Sequence, residues 1–244
     1  QQKRARMKSC KEEISCPSTT LSCTFSQNIE SLADKLKQDL IASSTHPFSK
    51  KIIITPSQPI KDYLIDFFAK ELGIVTGIQF LSLKQAINDW LSPFGKKIPD
   101  SIEISLVLEE IIEQSWQKDE KNKLYSYIAC EEDSKRSKRI IGLSDQLSNI
   151  FEEYGTYGLH FLPIWIKKPG WQQTLWNQIF SFYPNWTCPL EATQFLQTQN
   201  RSIFVFGFSF LPLSYLQILK QIGALFYFFS PCELFWEDVH TDRE

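Results

Sequence analysis

Short, uninterrupted apolar runs near both ends of the chain predict a buried parallel sheet. Residues 51–55 are Lys-Ile-Ile-Ile-Thr, and residues 202–206 are Ser-Ile-Phe-Val-Phe. Continuous runs of this length, bounded by turn residues, are typical of strands that are covered on both faces. Three further strands are predicted at residues 20–25, 78–82 and 224–229.

Apolar residues at helical spacing follow the early strands. A helix is predicted over about residues 28–43 with Ser26 as its N-cap, and a second helix begins near Ile60 and ends at Gly73. A third helix is predicted over 83–91. A strand, a tight turn and a helix in succession indicate an α/β fold.

The middle of the chain has helical periodicity only. Helices are predicted at 103–116, 140–154, 160–167, 171–182 and 190–198, and a last helix at 213–222 precedes the final strand. The pattern therefore predicts an α/β parallel-sheet domain made of residues 19–95 and 200–244. Residues 96–199 are predicted to form a helical insertion, and residues 1–18 a disordered extension.

Composition indicates an ordinary soluble globular protein, with 43% hydrophobic residues, 22% charged residues and a formal net charge of −2. The net charge of the whole chain does not indicate a nucleic-acid-binding surface. The basic clusters at residues 3–8 and 135–139 are interpreted as a solvated tail and a solvated loop. The absence of a long apolar run or a secretory signal, and six cysteines without paired spacing, predict a cytoplasmic protein with reduced thiols, no membrane contact and no zinc site.

The turn after the strand at 51–55 decides against a nucleotide site. A phosphate-binding loop needs glycines, a lysine and then Ser or Thr. Residues 56–62 are Pro-Ser-Gln-Pro-Ile-Lys-Asp, with two prolines that lack an N–H and no glycine. The strand at 202–206 is followed by Gly-Phe-Ser-Phe and no carboxylate. We therefore expect no cofactor and no ATP hydrolysis by this chain.

Other catalytic arrangements are also missing from the sequence. The three histidines, at positions 46, 160 and 240, have no partner at helical spacing, and Cys232 has no base in view. The acidic pairs are typical of solvated helix faces. No catalytic residue and no metal ligand is predicted.

Several motifs in order along the chain resemble the gamma-chain (RecC) family of the exonuclease V, or RecBCD, helicase–nucleases. They are Ser26 to Ala33, Pro47-Phe48, Ile52 to Ser57 with Tyr63-Leu64, Gly73-Ile74, Ile78 to Phe80, Leu147 to Tyr154 with Tyr157, Trp171-Gln172 with Leu175-Trp176, and Val205 to Pro212 with Tyr215-Leu216, Ser230 to Cys232 and Trp236 to Asp238. The resemblance extends over about residues 20–240 and matches only the N-terminal part of these longer proteins.

The resemblance implies a helicase-like fold of the P-loop NTPase type that has lost its nucleotide site. It also implies a non-catalytic scaffold that holds the beta and alpha subunits of exonuclease V and channels single-stranded DNA and DNA ends during double-strand break repair by homologous recombination. In that complex, an ATP-dependent exodeoxyribonuclease and helicase, the partner subunits use the ATP and Mg²⁺.

Residues expected to face DNA are Ser57, Gln58 and Asp62 in the first turn, and then Glu152, Tyr154 and Tyr157. Tyrosines can stack on bases, although burial in the core is the commoner environment for an aromatic side chain. Three alternatives stay open: an inactivated helicase of the AddB type, a protein-interaction module without DNA contact, and a catalytic ATPase.

Overall fold

Five parallel strands form one sheet in the computed structural model, which describes residues 22–43, 50–73, 77–115, 123–130, 132–196 and 202–230. The strands are β1 (Cys23–Ser26), β2 (Lys51–Ile54), β3 (Ile78–Leu81), β4 (Ile203–Phe206) and β5 (Leu225–Phe229). Their order is β1-β5-β4-β2-β3, and every neighbouring pair is parallel. The predicted α/β fold with a parallel sheet is therefore confirmed.

Ten α-helices are present in the described residues. They are α1 (Ile29–Ala42), α2 (Gln58–Leu72), α3 (Leu83–Leu91), α4 (Ser101–Ser115), α5 (Lys123–Ile128), α6 (Asp133–Tyr157), α7 (Leu162–Trp165), α8 (Trp171–Phe182), α9 (Pro189–Ala192) and α10 (Leu213–Gln221). A short 3-10 turn, Ser92–Phe94, extends α3.

Helices cover both faces of the sheet, because successive strand residues point to opposite sides. On one face, α1 and α2 pack on Ile53, Phe204 and Tyr227. On the other face, α3, α10 and the residues around α9 pack on Ile52 and Val205. All four residues of β4 are buried, as expected for the middle strand of a doubly covered parallel sheet.

Helices α4–α8 form a separate apolar core, and we call them the helical insertion. We call the five strands with α1–α3 and α10 the sheet unit. The centre of the insertion is aromatic: Phe151 meets Trp176 edge to face with ring centroids 5.4 Å apart. The segment that enters the insertion and the segment that leaves it run side by side, because Lys97 and Trp186 form an isolated parallel β-bridge. The exact division at residues 96–199 stays a prediction.

Several helix ends differ from the prediction for local reasons. Asn28, not Ser26, is the N-cap of α1, because its Oδ1 accepts from the Glu30 N–H at 2.8 Å. Helix α6 begins at Asp133, seven residues before the predicted start. Its first two turns are largely exposed and carry no apolar stripe, so the pattern of apolar residues did not indicate them. The basic residues at 135–139 therefore lie on a helix and not in a loop. Helices α7 and α9 are each a single turn, and α5 was not predicted.

The remaining sequence predictions are only partly covered by the structure. The segment 1–18 lies outside the described residues, as do Cys10, Cys16, Cys232, His46 and His240. Within the described ranges, Cys23, Cys130 and Cys188 are free thiols, and no group of three or more acidic, histidine or cysteine side chains could hold a metal ion. No described helix combines the length and apolar character that crossing a membrane requires.

Candidate functional site

In open parallel sheets, ligands bind at the carboxyl ends of the strands where neighbouring connections diverge. In this sheet that place is at the ends of β2 and β4. These two strands are neighbours, but α2 follows β2 on one face while α10 follows β4 on the other. The two connections therefore separate and leave a crevice at the topological switch point, where a nucleotide normally lies.

The side chain of Ile60 lies against the end of β4 at this crevice. Ile60 lies in the first turn of α2, and it contacts the backbone of Gly207 at the end of β4. A Cβ added at Gly207 would be 3.1 Å from Ile60 Cδ1 and 3.3 Å from Cγ2, and the φ of Gly207 is +76°. Pro56 and Pro59 in the same connection provide no N–H groups. The arrangement is an apolar plug at the position where a phosphate cradle requires open backbone amides.

Ser57, Gln58 and Asp62 lie together at the exposed start of α2. Ser57 is the N-cap in extended conformation, and its side chain makes no cap hydrogen bond. The Gln58 Nε2 donates to the Asp62 Oδ1 at 2.7 Å. These three predicted site residues therefore form one polar patch beside the plugged crevice.

The residues of the second predicted group, at the end of α6, have different environments in the fold. Glu152 is bound in an ion pair with Lys84 of α3 at 2.9 Å. The ring of Tyr154 is half-buried and packs edge to face against Phe161 and Trp165, with centroids 5.1 Å away in both cases. Tyr157 is 59% exposed. Of the two tyrosines, only Tyr157 offers a largely free ring.

A cleft lies between the end of α6 and the connection from β4 to α10. Its walls include Glu152, Glu153, Tyr157, Phe210 and Tyr215. The rings of Tyr157 and Phe210 are nearly parallel, with an angle of 23° between their planes and 6.4 Å between their centroids. The cleft thus joins one wall from the helical insertion to one wall from the sheet unit.

Buried contacts behind the cleft hold its two walls together. The hydroxyl of Ser214, at the start of α10, donates to the carbonyl oxygen of Thr156 in α6 at 2.6 Å, and Ser214 is fully buried. Burial, opposed by a hydrogen bond with Thr156, raises the pKa of the neighbouring Tyr215 to about 12. The hydroxyl of Tyr215 therefore stays protonated near neutral pH.

Sequence reasoning missed Phe210, which is 67% exposed. The residue lies in the apolar run Gly-Phe-Ser-Phe-Leu-Pro (207–212), a composition that suggests burial. Phe25 at the end of β1 and Phe229 at the end of β5 are also exposed and line an adjoining groove together with Phe210. No local signal in the sequence separates these rings from core aromatics.

Three of the four basic residues at the start of α6 have local partners. Lys135 pairs with Glu132 at 2.7 Å, and Arg136 pairs with Asp133 at 2.5 Å. The Arg139 guanidinium donates to the carbonyl oxygen of Tyr127 at 2.9 Å. Local partners therefore use much of the positive charge in this cluster.

The chain is similar to known proteins over most of its length. The family model described as "RecC, N-terminal domain" matches residues 21–244. The RecBCD enzyme subunit RecC of Escherichia coli (strain K12) is 22% identical over 226 residues, which cover 79% of this chain and 20% of that protein. The RecBCD enzyme subunit RecC of Haemophilus influenzae (strain ATCC 51907 / DSM 11121 / KW20 / Rd) is 23% identical over an alignment 256 positions long, which covers 81% of this chain and 22% of that protein. The chain thus spans about a fifth of the length of these relatives.

Proposed function

Because the chain belongs to the RecC N-terminal domain family, we propose that it is a non-catalytic, helicase-like part of a RecBCD-type helicase–nuclease. In this proposal it helps to build the channel for single-stranded DNA in an enzyme of recombination and double-strand break repair. Its relatives in Escherichia coli and Haemophilus influenzae are subunits of the RecBCD enzyme, which supports this assignment.

The plugged crevice carries the non-catalytic part of the proposal. A nucleotide at the switch point needs backbone N–H groups and a lysine close to its phosphates. In this chain Ile60 packs on Gly207 at that place, and the connection contains two prolines. An apolar side chain cannot offer hydrogen bonds to a phosphate, so the geometry supports a fold without ATP chemistry of its own.

The exposed polar patch beside the plug supports a DNA-facing role for Ser57, Gln58 and Asp62. In an active helicase this edge of the sheet borders both the nucleotide and the strand, as the family resemblance implies. In the second group, Tyr157 is the residue most available to DNA because its ring is 59% exposed. Glu152, held by Lys84, and Tyr154, packed in the insertion core, are less available to a ligand.

The beta and alpha subunits of the enzyme are the proposed protein partners, and they would supply the ATP and Mg²⁺ chemistry. A protein-interaction role without DNA contact is a second candidate. It is favoured by the net charge of −2 and by large exposed apolar side chains such as Phe25 and Phe210. Salt-dependent binding of single-stranded DNA would separate the two candidates, because only phosphate contacts release counterions.

The decisive experiment is co-purification with the beta subunit from the same source, with ATP hydrolysis measured on the chain alone and on the beta subunit as a positive control. We expect stable association and no turnover by the chain. Magnesium-dependent, DNA-stimulated turnover by the chain alone would overturn the proposal. Lack of association would show that residues 1–244 do not by themselves bind the beta subunit and would count against the proposed partnership.

An Ile60→Ala variant sharpens this experiment. The substitution opens the crevice but adds no phosphate ligand, so the variant should also fail to hydrolyse ATP. Nucleotide binding gained by Ile60→Ala would show that steric filling, and not the loss of phosphate ligands, is what closes the site.

A further inference from the structure

We propose that Phe210 and Tyr157 together form a stacking platform for an unpaired base of single-stranded DNA. The inference rests on the proposed function and adds to it a binding residue, Phe210, that the sequence did not indicate. The platform crosses the boundary between the two parts of the molecule, because Tyr157 ends α6 and Phe210 lies between β4 and α10.

The geometry of the two rings carries the proposal. Their planes are within 23° of parallel, and their centroids are 6.4 Å apart. Exposed fractions of 59% for Tyr157 and 67% for Phe210 leave most of each ring open to a ligand. A core pair such as Phe151 and Trp176 meets edge to face instead and leaves no free face. Near-parallel exposed rings suit a flat ligand such as a nucleobase.

The surroundings of the platform favour the base over the phosphate backbone. Asn149, Glu152 and Glu153 line the same cleft and offer hydrogen-bonding groups of the kind that bind base edges. Lys84 is a nearby cation, and its Nζ is paired with the Glu152 Oε1 at 2.9 Å. A strand bound here would therefore be held by stacking, with its phosphates directed away from the carboxylates.

Two contacts hold the helix around Tyr157 in place before a ligand arrives. The Ser214 hydroxyl bonds to the backbone oxygen of Thr156, the residue before Tyr157. The Lys84–Glu152 ion pair holds α6 to α3 one turn earlier. Side chains held in place in advance lose less conformational freedom on binding, which strengthens affinity.

The test uses the full-length protein and a short oligothymidylate that carries one 2-aminopurine, whose fluorescence is quenched when it stacks. We expect quenching on binding by the unsubstituted protein. Phe210→Ala and Tyr157→Ala should each weaken binding roughly 5- to 100-fold and remove the quenching. Phe210→Tyr should bind normally, whereas Phe210→Leu, apolar but not aromatic, should resemble Phe210→Ala.

Two controls separate stacking from general damage. Phe182→Ala removes a ring of similar exposure (61%) on α8 and should leave binding unchanged. The slope of log affinity against log salt should be the same for Phe210→Ala and the unsubstituted protein, because the phenyl ring contacts no phosphate.

The outcomes distinguish the platform from the proposed function. If the unsubstituted protein binds the strand and Phe210→Ala binds equally well with full quenching, the platform is wrong and the proposed function stands. If the full-length protein binds no single-stranded DNA at any salt concentration, both are overturned.

Discussion

The sheet unit and the helical insertion build their cores in different ways. The sheet unit buries β-branched and phenylalanine side chains of strands that are distant in sequence: Ile53 of β2 lies beside Phe204 of β4. The insertion packs consecutive helices around edge-to-face aromatic contacts, such as Trp165 against Trp176 at 6.0 Å and 88°. The insertion core is thus local in sequence, and the sheet core is not.

This difference makes the central strand pair dependent on the insertion. Strand β4 reaches its place beside β2 only after the chain has passed through α4–α8. The ends of the insertion are tied by hydrogen bonds, from the Lys97 N–H to the Asn185 oxygen and from the Thr187 N–H to the Lys97 oxygen, both at 2.9 Å. A folded insertion shortens the effective loop between β2 and β4 and lowers the entropy lost on closing it.

The largest expected effect comes from truncating one core ring in each part. Phe204→Ala and Phe151→Ala should each lower the free energy of unfolding by about 3–5 kcal/mol, because both rings are buried and leave cavities. Urea denaturation followed by far-ultraviolet circular dichroism and by tryptophan fluorescence measures both. Most tryptophans lie in residues 96–199, so fluorescence mainly reports the insertion.

Because the sheet unit depends on the folded insertion but the insertion core is local in sequence, Phe151→Ala should shift both transitions. Phe204→Ala should shift the dichroism transition more than the fluorescence transition. A Phe151→Ala variant in which only the fluorescence transition moves would show that the sheet unit does not need the folded insertion and would break the comparison.

The sequence was most informative where apolar positions follow a regular pattern. Strands at residues 51–55 and 202–206 were predicted because short continuous apolar runs between turn residues are typical of buried strands, and the structure has them at Lys51–Ile54 and Ile203–Phe206. Helices with one apolar face, such as α2 and α8, were predicted within two residues of their ends. The early start of α6 was missed because its first turns are stabilised by ion pairs such as Arg136–Asp133, which leave no apolar stripe.

The candidate site was only partly predictable, because its geometry depends on contacts between distant residues. The sequence 56–62 showed that no phosphate loop exists, but not that Ile60 would fill the crevice against Gly207. Tyr154 and Tyr157 are three residues apart on one helix, yet the neighbours Phe161 and Trp165 half-bury only the first. Which ring is free depends on what packs against the helix.

The next effect concerns the plug, and Gly207→Ala tests it. The positive φ and the short approach to Ile60 should lower the free energy of unfolding by about 1–3 kcal/mol. The matched control is Gly142→Ala in α6, where a Cβ meets nothing within 4 Å and alanine should stabilise the helix by about 0.5–1 kcal/mol. Thermal unfolding measures both, and equal shifts in the two variants would contradict the packing described for Gly207.

A smaller effect is expected at the contact between the two parts. Ser214→Ala removes the buried donor to the Thr156 oxygen and should lower the free energy of unfolding by about 1–2 kcal/mol. Ser148→Ala is the control, because that hydroxyl bonds only within its own helix, to the Asp145 oxygen. If the two variants lose equal stability, the Ser214 hydrogen bond contributes nothing particular to the junction.

The smallest effect is a pH dependence that belongs to the sheet unit alone. Tyr227 of β5 donates to the Asp39 Oδ2 of α1 at 2.6 Å. Burial raises the pKa of Asp39, but hydrogen bonds from Tyr227 and Lys35 outweigh it and hold that pKa below its ordinary value of 3.8. A lowered folded-state pKa contributes stability that is fully present above 3.8 and is lost as the pH falls through the folded-state pKa.

Asp39→Asn should therefore be less stable than the unsubstituted chain at neutral pH and should show a weaker loss of stability in acid. Urea midpoints measured between neutral pH and the acid side of the Asp39 titration test this, with Asp66→Asn, an exposed pair with Lys70 at 3.4 Å, as the control. The Ser214–Thr156 contact contains no titrating group, so Ser214→Ala should lower stability equally at every pH. If stability falls with decreasing pH as steeply in Asp39→Asn as in the unsubstituted chain, the Tyr227–Asp39 contact does not help to hold α1 to the sheet.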